Sequence, residues 1–378
     1  MSVSATRPLP TLLSQVLIAF TIEFDNEAER ELPHTTTIGR ARGATVRGPW
    51  LVSLVMWANF MRFVDANGRP LRELAAQART VNLRGLQRWG YIKIGPPPED
   101  PRPAPPRGEM LVRTTRWGAL AQRVWEPLDA VVESAWAERF GAAEIAELRG
   151  ALVGILSQIE LELPPFMPVA GVHRNDPERW LSAPARGRSD LEGLELYTLL
   201  AQVLLAFERD YERQSRLSLA ISANVLRVLG SDGVRVAALP LRSGVSKEAI
   251  AVSLGLLERA QLAVIEPDPG AARAKQARLT EKGRLAQEKY LRLIAATQAA
   301  WRERFGDAAT LRLRRALEDL IDRRKDGRPL LTAGLVPAPG SWRALKPYVA
   351  QTEAVLADAG ALAHHPMVSH RGGYPDGS

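Results

Sequence analysis

Apolar positions along the chain recur at helical spacing. In "LLAQVLLAFERD" (199–210), Leu200, Val203, Leu204 and Phe207 fall on one helical face before Glu208, Arg209 and Asp210 turn the segment polar. A short helix is expected around Ala223–Leu229, closed by "GSDG". "VRVAALPLRSGVSKEAIAVSLGLLERAQLAVIEP" then reads as a helix, a turn at Ser243–Gly244, a second helix and a strand. Ser246 is the expected N-cap of that second helix. Ile250, Leu254 and Leu257 form its buried stripe, which leaves Lys247, Glu248, Ala251 and Glu258 outward. Short strands at Leu262–Glu266 and Ala277–Leu279 flank the polar "PDPGAARAK" and predict a hairpin. Thr280 then caps a long helix, with Glu281 against its N-terminal dipole. Tyr290, Leu293, Ile294, Trp301 and Phe305 share one side of it.

The pattern is written twice. "WAERFGAAEIAELRGAL" (136–152) aligns with "WRERFGDAATLRLRRAL" (301–317) at a shift of 165, with 10 identities in 17. "LLSQVLIAF" (12–20) aligns with "LLAQVLLAF" (199–207) at a shift of 187, and "GLQRWGYI" (85–92) with "LLERAQLA" (256–263) at 171. Matches that keep one order over such a span mark an internal duplication. The expected organisation is a first copy at 8–160, a Pro-rich linker at 161–194, a second copy at 195–322, and a tail at 323–378 with one short helix. In the first copy Thr115 is the matching cap, and Trp125, Leu128, Val132, Trp136 and Phe140 form the matching stripe. The two stripes are expected to bury each other, as a dimer interface written into one chain.

Composition narrows the chemistry. The chain has no cysteine, which excludes disulfides, thiolate catalysis and Cys-based metal sites. No P-loop, Gly-rich dinucleotide turn, HExxH or G-x-S-x-G pattern occurs, so no enzyme and no cofactor are expected. No apolar run reaches bilayer length and the start lacks a signal pattern, so a cytoplasmic protein without membrane contact is expected. The net charge is +8 with 43 arginines against 7 lysines, and the pI is about 10.0. Such a balance favours a polyanionic partner, duplex DNA first, although an arginine-heavy composition alone also makes a chain basic.

A helix-turn-helix followed by a hairpin is a winged helix. "RLTEKGRLAQ", "GVSKEAIAVSLGLLERAQLAVIE" and "WRERFGDAATLRLRRALEDL" resemble the MarR family of winged-helix transcription regulators. The resemblance covers nearly all of the second copy and reaches the first through the repeat. It implies a mostly α fold with small β wings: tandem winged helix-turn-helix units around a shared helical dimerisation-like region. MarR proteins are normally homodimers, so this chain looks like two protomers fused into a pseudo-dimer, a monomer with pseudo-two-fold symmetry. The implied function is sequence-specific DNA binding under the control of a small aromatic or anionic effector. Two departures stand out. Arg273 takes the Arg place of the family's Asp-x-Arg wing motif, but Ala271 stands where the Asp belongs. The first wing, "GPPPEDPRPAPPRGE", is Pro-rich and carries three acids against two arginines.

The candidate DNA contacts of the second copy are Arg242, Ser243, Ser246 and Lys247 at the turn and helix start, where bases and phosphates are met, and Arg273 and Lys275 in the wing. In the first copy they are Arg79, Asn82, Arg84, Arg88 and Arg107, with a solvated helix face as the equal alternative for the first four. Trp57 and Trp89 are the candidates for an effector pocket; core packing accounts for most tryptophans otherwise. His364, His365 and His370 cluster in the tail with no acid among them, and no metal is expected there. Two other readings stay open. One is a protein-binding scaffold that has lost DNA contact. The other is a DNA-repair glycosylase built from repeated winged helices, for which no convincing set of polar residues is evident.

Overall fold

The structure, a computed structural model, describes residues 7–36, 48–78, 83–168, 186–271, 273–345 and 353–365. It is mostly helical, with small antiparallel sheets of two or three strands. The first copy runs α1 (Leu9–Glu31), α2 (Leu54–Met61), β1 (Arg69–Pro70), α3 (Leu71–Ala78), α4 (Leu83–Arg88), β2 (Ile92–Gly95), β3 (Leu111–Thr114), α5 (Arg116–Trp125), α6 (Leu128–Phe140) and α7 (Ala142–Leu156). The second opens with α8 (Leu196–Glu212). It continues through a helical stretch that is π-wound over Leu219–Ala223, then β4 (Val234–Arg235), α9 (Leu239–Ser243), α10 (Lys247–Arg259), β5 (Ala263–Pro267), β6 (Lys275–Leu279), α11 (Glu281–Phe305) and α12 (Asp307–Asp322). The tail adds a hairpin of β7 (Arg324–Lys325) and β8 (Arg328–Pro329), then α13 (Trp342–Leu345) and α14 (Glu353–Ala357). The residues between α13 and α14, where one continuous helix was expected, lie outside the described set.

The duplication recurs as repeated contacts. The sheets have the orders β1-β3-β2 and β4-β6-β5. Thr115 caps α5 by accepting from Gly118 N, and Thr280 caps α11 by accepting from Gly283 N; both caps have φ −77° and ψ 171°. Each cap is followed by a glycine for a steric reason. A Cβ on Gly118 would lie 2.0 Å from the Tyr91 carbonyl oxygen, and one on Gly283 would lie 1.8 Å from that of Leu262. One turn on, Gln122 Nε2 donates to the carbonyls of Met61 and Val64, and Gln287 Nε2 to those of Leu226 and Leu229. Both glutamines thus satisfy carbonyls at the end of an earlier helix of their own copy. Trp136 meets Phe20 edge-on at 5.2 Å, and Trp301 meets Phe207 edge-on at 5.1 Å. These stacks lie within a copy, not between copies as expected for the two stripes, because each ring is held by the opening helix of its own copy.

The copies also differ. The long helix expected after Thr115 is broken between α5 and α6, whereas α11 is continuous over 25 residues. Pro127 stands where the second copy has Arg292, and a proline removes a helical N–H and crowds the preceding turn.

Contacts divide the chain into two compact units whose limits cut through α1 and α6: 1–22 with 133–336 and 347–378, and 23–132 with 337–346. In the smaller one, Tyr91 stacks on Trp125 at 5.5 Å and donates its hydroxyl to the Trp50 carbonyl at 2.8 Å. Arg343 is fully buried there. It donates to the Asp25 carbonyl and to Glu29 Oε2, both at 3.2 Å, and Trp342 N donates to Glu29 Oε1 at 2.6 Å.

In the larger one, α7 packs on α12 and on α8. Equivalent positions face each other there. Glu147 and Arg312, separated by the repeat shift of 165, form a two-pronged ion pair at 2.5 and 2.6 Å. Arg149 donates to Glu133 and to the Leu194 carbonyl, while its counterpart Arg314 donates to Gln298 and to the Arg7 carbonyl. Those partners too are separated by 165 and 187 positions, matching the repeat. Leu313, Ala316, Leu317 and Leu320 of α12 are buried, so residues 195–322 expressed alone are expected to self-associate or aggregate. A monodisperse monomer of that fragment in light scattering would count against this packing.

Candidate nucleic-acid interface

In the second copy, α9 ends at Gly244, whose φ of 76° is left-handed and suits glycine. Arg227 Nη2 braces this end by donating to the Ser243 carbonyl at 3.0 Å. Val245 is buried, and α10 starts at Lys247 after the Ser246 cap, which accepts from Ala249 N at 3.2 Å. Ile250, Leu254 and Leu257 bury the inner face of α10, while Lys247, Glu248, Ala251, Val252, Glu258 and Arg259 face outward.

This geometry separates the residues expected at the turn. Arg242 and Lys247 are exposed, with no ion-pair partner among the described residues. Ser243 and Ser246 are buried. The Ser243 hydroxyl donates to the Leu239 carbonyl at 2.6 Å, and Ser246 is occupied as the cap. Small polar residues at a turn serve the backbone first, since its unpaired N–H and C=O groups are costly when buried. Neither serine is placed for base contact.

The hairpin pairs Ala263 with Leu279 through to Pro267 with Lys275. Its loop is closed by Asp268 N donating to the Ala274 carbonyl and Ala271 N to the Asp268 carbonyl. A third strand, β4, lies against β6 and brings Arg235 to Asp268 at 2.5 Å. Arg278 holds Glu266 at 2.9 Å. Asp268 is kept below the usual carboxylate range by the Gly270 N–H and then by Arg235, and Glu266 by Arg278 and Gln276. Both acids are therefore ionised and engaged. Arg273 and Lys275 are exposed and unpaired among the described residues, so the hairpin presents uncompensated positive charge.

The first copy is built differently. Its α4 has only six residues, Leu83–Arg88. Arg84 and Arg88 are exposed, and the Arg88 guanidinium lies 4.9 Å over the Trp89 ring. Arg79 and Asn82 lie outside the described residues, as does the side chain of Trp57. In the long loop between β2 and β3, Arg102 is spent on Asp100 and Glu109, and its hydrogen bonds hold Asp100 down to about 2. Arg107 is exposed and has no ion-pair partner among the described residues.

Sequence reasoning passed over Arg227, Arg235 and Arg259. Arg259 carried a signal, a cation in the last turn of a helix whose dipole favours it there. Arg235 carried none, because its partner is 33 positions away. An open cleft of about 490 Å³ lies beside Trp301, bordered by Leu9, Gln298, Arg302 and Arg314. No helix among the described residues is long and apolar enough to cross a membrane. Compared with protein-family models, with curated proteins and with solved structures, the chain matches none.

Proposed function

We propose that the chain is a duplex-DNA-binding transcription regulator, a single-chain pseudo-dimer of two winged helix-turn-helix copies that contacts DNA chiefly through the second. One observation supports this above the rest: Arg273 and Lys275 stand free on the hairpin while its two acids are held by other arginines. A free cation on a wing is available to phosphate, whereas one already paired with a carboxylate must first lose that partner. Arg242 and Lys247, at the turn and at the start of α10, are the groups that enter the groove beside it. The first copy, with acids in its loop and a short α4, is the weaker reader.

Arg273→Ala with Lys275→Ala is expected to weaken binding on every duplex and to flatten the log–log salt slope by up to about two units, at about 0.9 per phosphate contact. Arg242→Ala with Lys247→Ala is expected instead to reduce preference for a selected site, since a good base contact is worth about 1–3 kcal/mol of discrimination. Salt titrations on the selected site and on random DNA separate the two results. Parent-like behaviour of both variants would leave the second copy without a role in DNA binding.

A scaffold reading has its own support. Leu241 is 56% and Val252 42% exposed, and both flank the surface that would meet DNA. Exposed apolar side chains there suit a protein partner better than phosphate. A Leu241→Ser with Val252→Ser variant that keeps its DNA affinity and loses a protein partner would favour that reading.

A further inference from the structure

The end of the described tail is buried in the second copy. Leu362, Ala363 and His365 are fully inaccessible. The Ser14 hydroxyl of α1 donates to the His365 carbonyl at 2.7 Å, Gln15 Nε2 donates to the Gly360 carbonyl at 3.3 Å, and His364 N donates to Asn224 Oδ1 at 3.1 Å. The His365 ring stands edge-on to Tyr290 of α11 at 5.4 Å, with Nε2 hydrogen-bonded to the Tyr290 hydroxyl. Segment 359–365 also closes over the turn of the helix-turn-helix: a Cβ on Gly244 would lie 2.6 Å from Ala363 N and 2.8 Å from the Ala361 carbonyl oxygen. One heptapeptide thus ties α1, the turn before α10, and α11 together.

Among the described residues no carboxylate welcomes a proton on the imidazoles that hold it, and only the Gly360 backbone favours one, on His364. His365 Nδ1 has no hydrogen-bond partner among the described residues. The groups around the pair are Ser14 and Gln15 from α1, Arg7 ahead of it, Asn224 and Arg227 from the helical stretch, and Tyr290 from α11 with Tyr211 of α8 behind it. The charges that the imidazoles feel are Arg227, Arg7 and each other, all cationic or neutral. A protonated imidazole here is a buried cation beside another cation.

We propose that residues 359–365 are an acid-released strap, docked on the second helix-turn-helix while His364 and His365 are neutral and freed when they take up protons. Burial lowers His364 to about 4 and moves His365 in the same direction. A released histidine binds its proton near 6.5. Docking is therefore complete above neutrality and weakens as pH falls through 6.5 toward the docked values. From pH 7.5 to 5.5 each histidine weakens docking about tenfold, and the two together about a hundredfold. The strap's consequence for DNA rests on the function proposed above. The docked strap fixes the turn before α10, and its release adds an ordering cost that weakens binding.

The test is hydrogen exchange of the Leu362 and His364 amides in the full chain, corrected for intrinsic rates, with α8 amides as the control. Their protection is expected to fall about a hundredfold from pH 7.5 to 5.5, while α8 stays protected. His364→Gln is expected to reduce the fall to about tenfold, and His364→Gln with His365→Gln to abolish it. Protection that is flat with pH in the parent, or an undiminished fall in the single variant, overturns the strap. DNA affinity measured at the two pH values adds a second readout. A chain that loses strap protection in acid yet binds no duplex at either pH keeps the strap and removes the DNA-binding reading. A chain that binds DNA equally at both, while the strap opens, removes the coupling.

Discussion

Trp136→Ala and Trp301→Ala are each expected to cost about 3–5 kcal/mol, the range for truncating a large buried aromatic. The two rings are equivalent by position and by environment: one is 0% and the other 1% exposed, and each sits edge-on to the phenylalanine of its own opening helix. Trp301 Nε1 also donates to Asp210 Oδ2 at 2.9 Å. Trp301→Phe keeps most of the packing and gives up that hydrogen bond to a charged group, worth about 1.5–3 kcal/mol. Urea midpoints of the three variants give the comparison. A loss below about 1 kcal/mol for either alanine variant would mean that the ring is not a core element.

Arg343→Met is expected to cost about 3–5 kcal/mol, because it leaves buried acids without their cation. Glu29 is only 5% and Asp25 only 1% exposed. The arginine comes from a segment 314 positions after Glu29, so the loss is also the loss of the tail's anchor in the smaller unit. Adding Glu29→Gln to Arg343→Met is expected to restore part of the stability, since it neutralises one of the stranded charges. A double variant no more stable than the single one would locate the cost in lost packing instead.

The sequence made some of this legible and hid the rest, for reasons that differ by residue. Thr115 and Thr280 were readable as caps because capping is local, acting over three residues. The stripe of Ile250, Leu254 and Leu257 was readable because helical period is local too. The tail hairpin carried a signal that was overlooked: "KDGR" puts Asp326 at φ 52° and Gly327 at φ 78°, the Asp-Gly pair of a tight turn. The break at Pro127 was likewise visible, but the matched stripe on either side masked it. Arg343 against Glu29, and His365 against Tyr290, left no local trace. A buried polar pair formed across 75 or 314 positions has neither period nor spacing, and only the folded chain brings the members together. For the candidate interface, the residue types were legible in the sequence and their exposure was not. Serine at a turn reads as a donor for a ligand until the backbone's own demand for it is counted.

In a dimer of identical chains, a residue on the two-fold axis meets its own copy, so an acid there would face an acid and an arginine an arginine. Glu147 and Arg312, 165 positions apart and equivalent in the repeat, meet instead as opposites. Joining the copies in one polypeptide frees each position from its mirror image, so that one mutation changes one side only. The charge where equivalent positions meet can then become complementary, and the two hairpins can diverge, one filling with acids while the other keeps its free cations. Likeness between the copies no longer has to be renewed with every substitution.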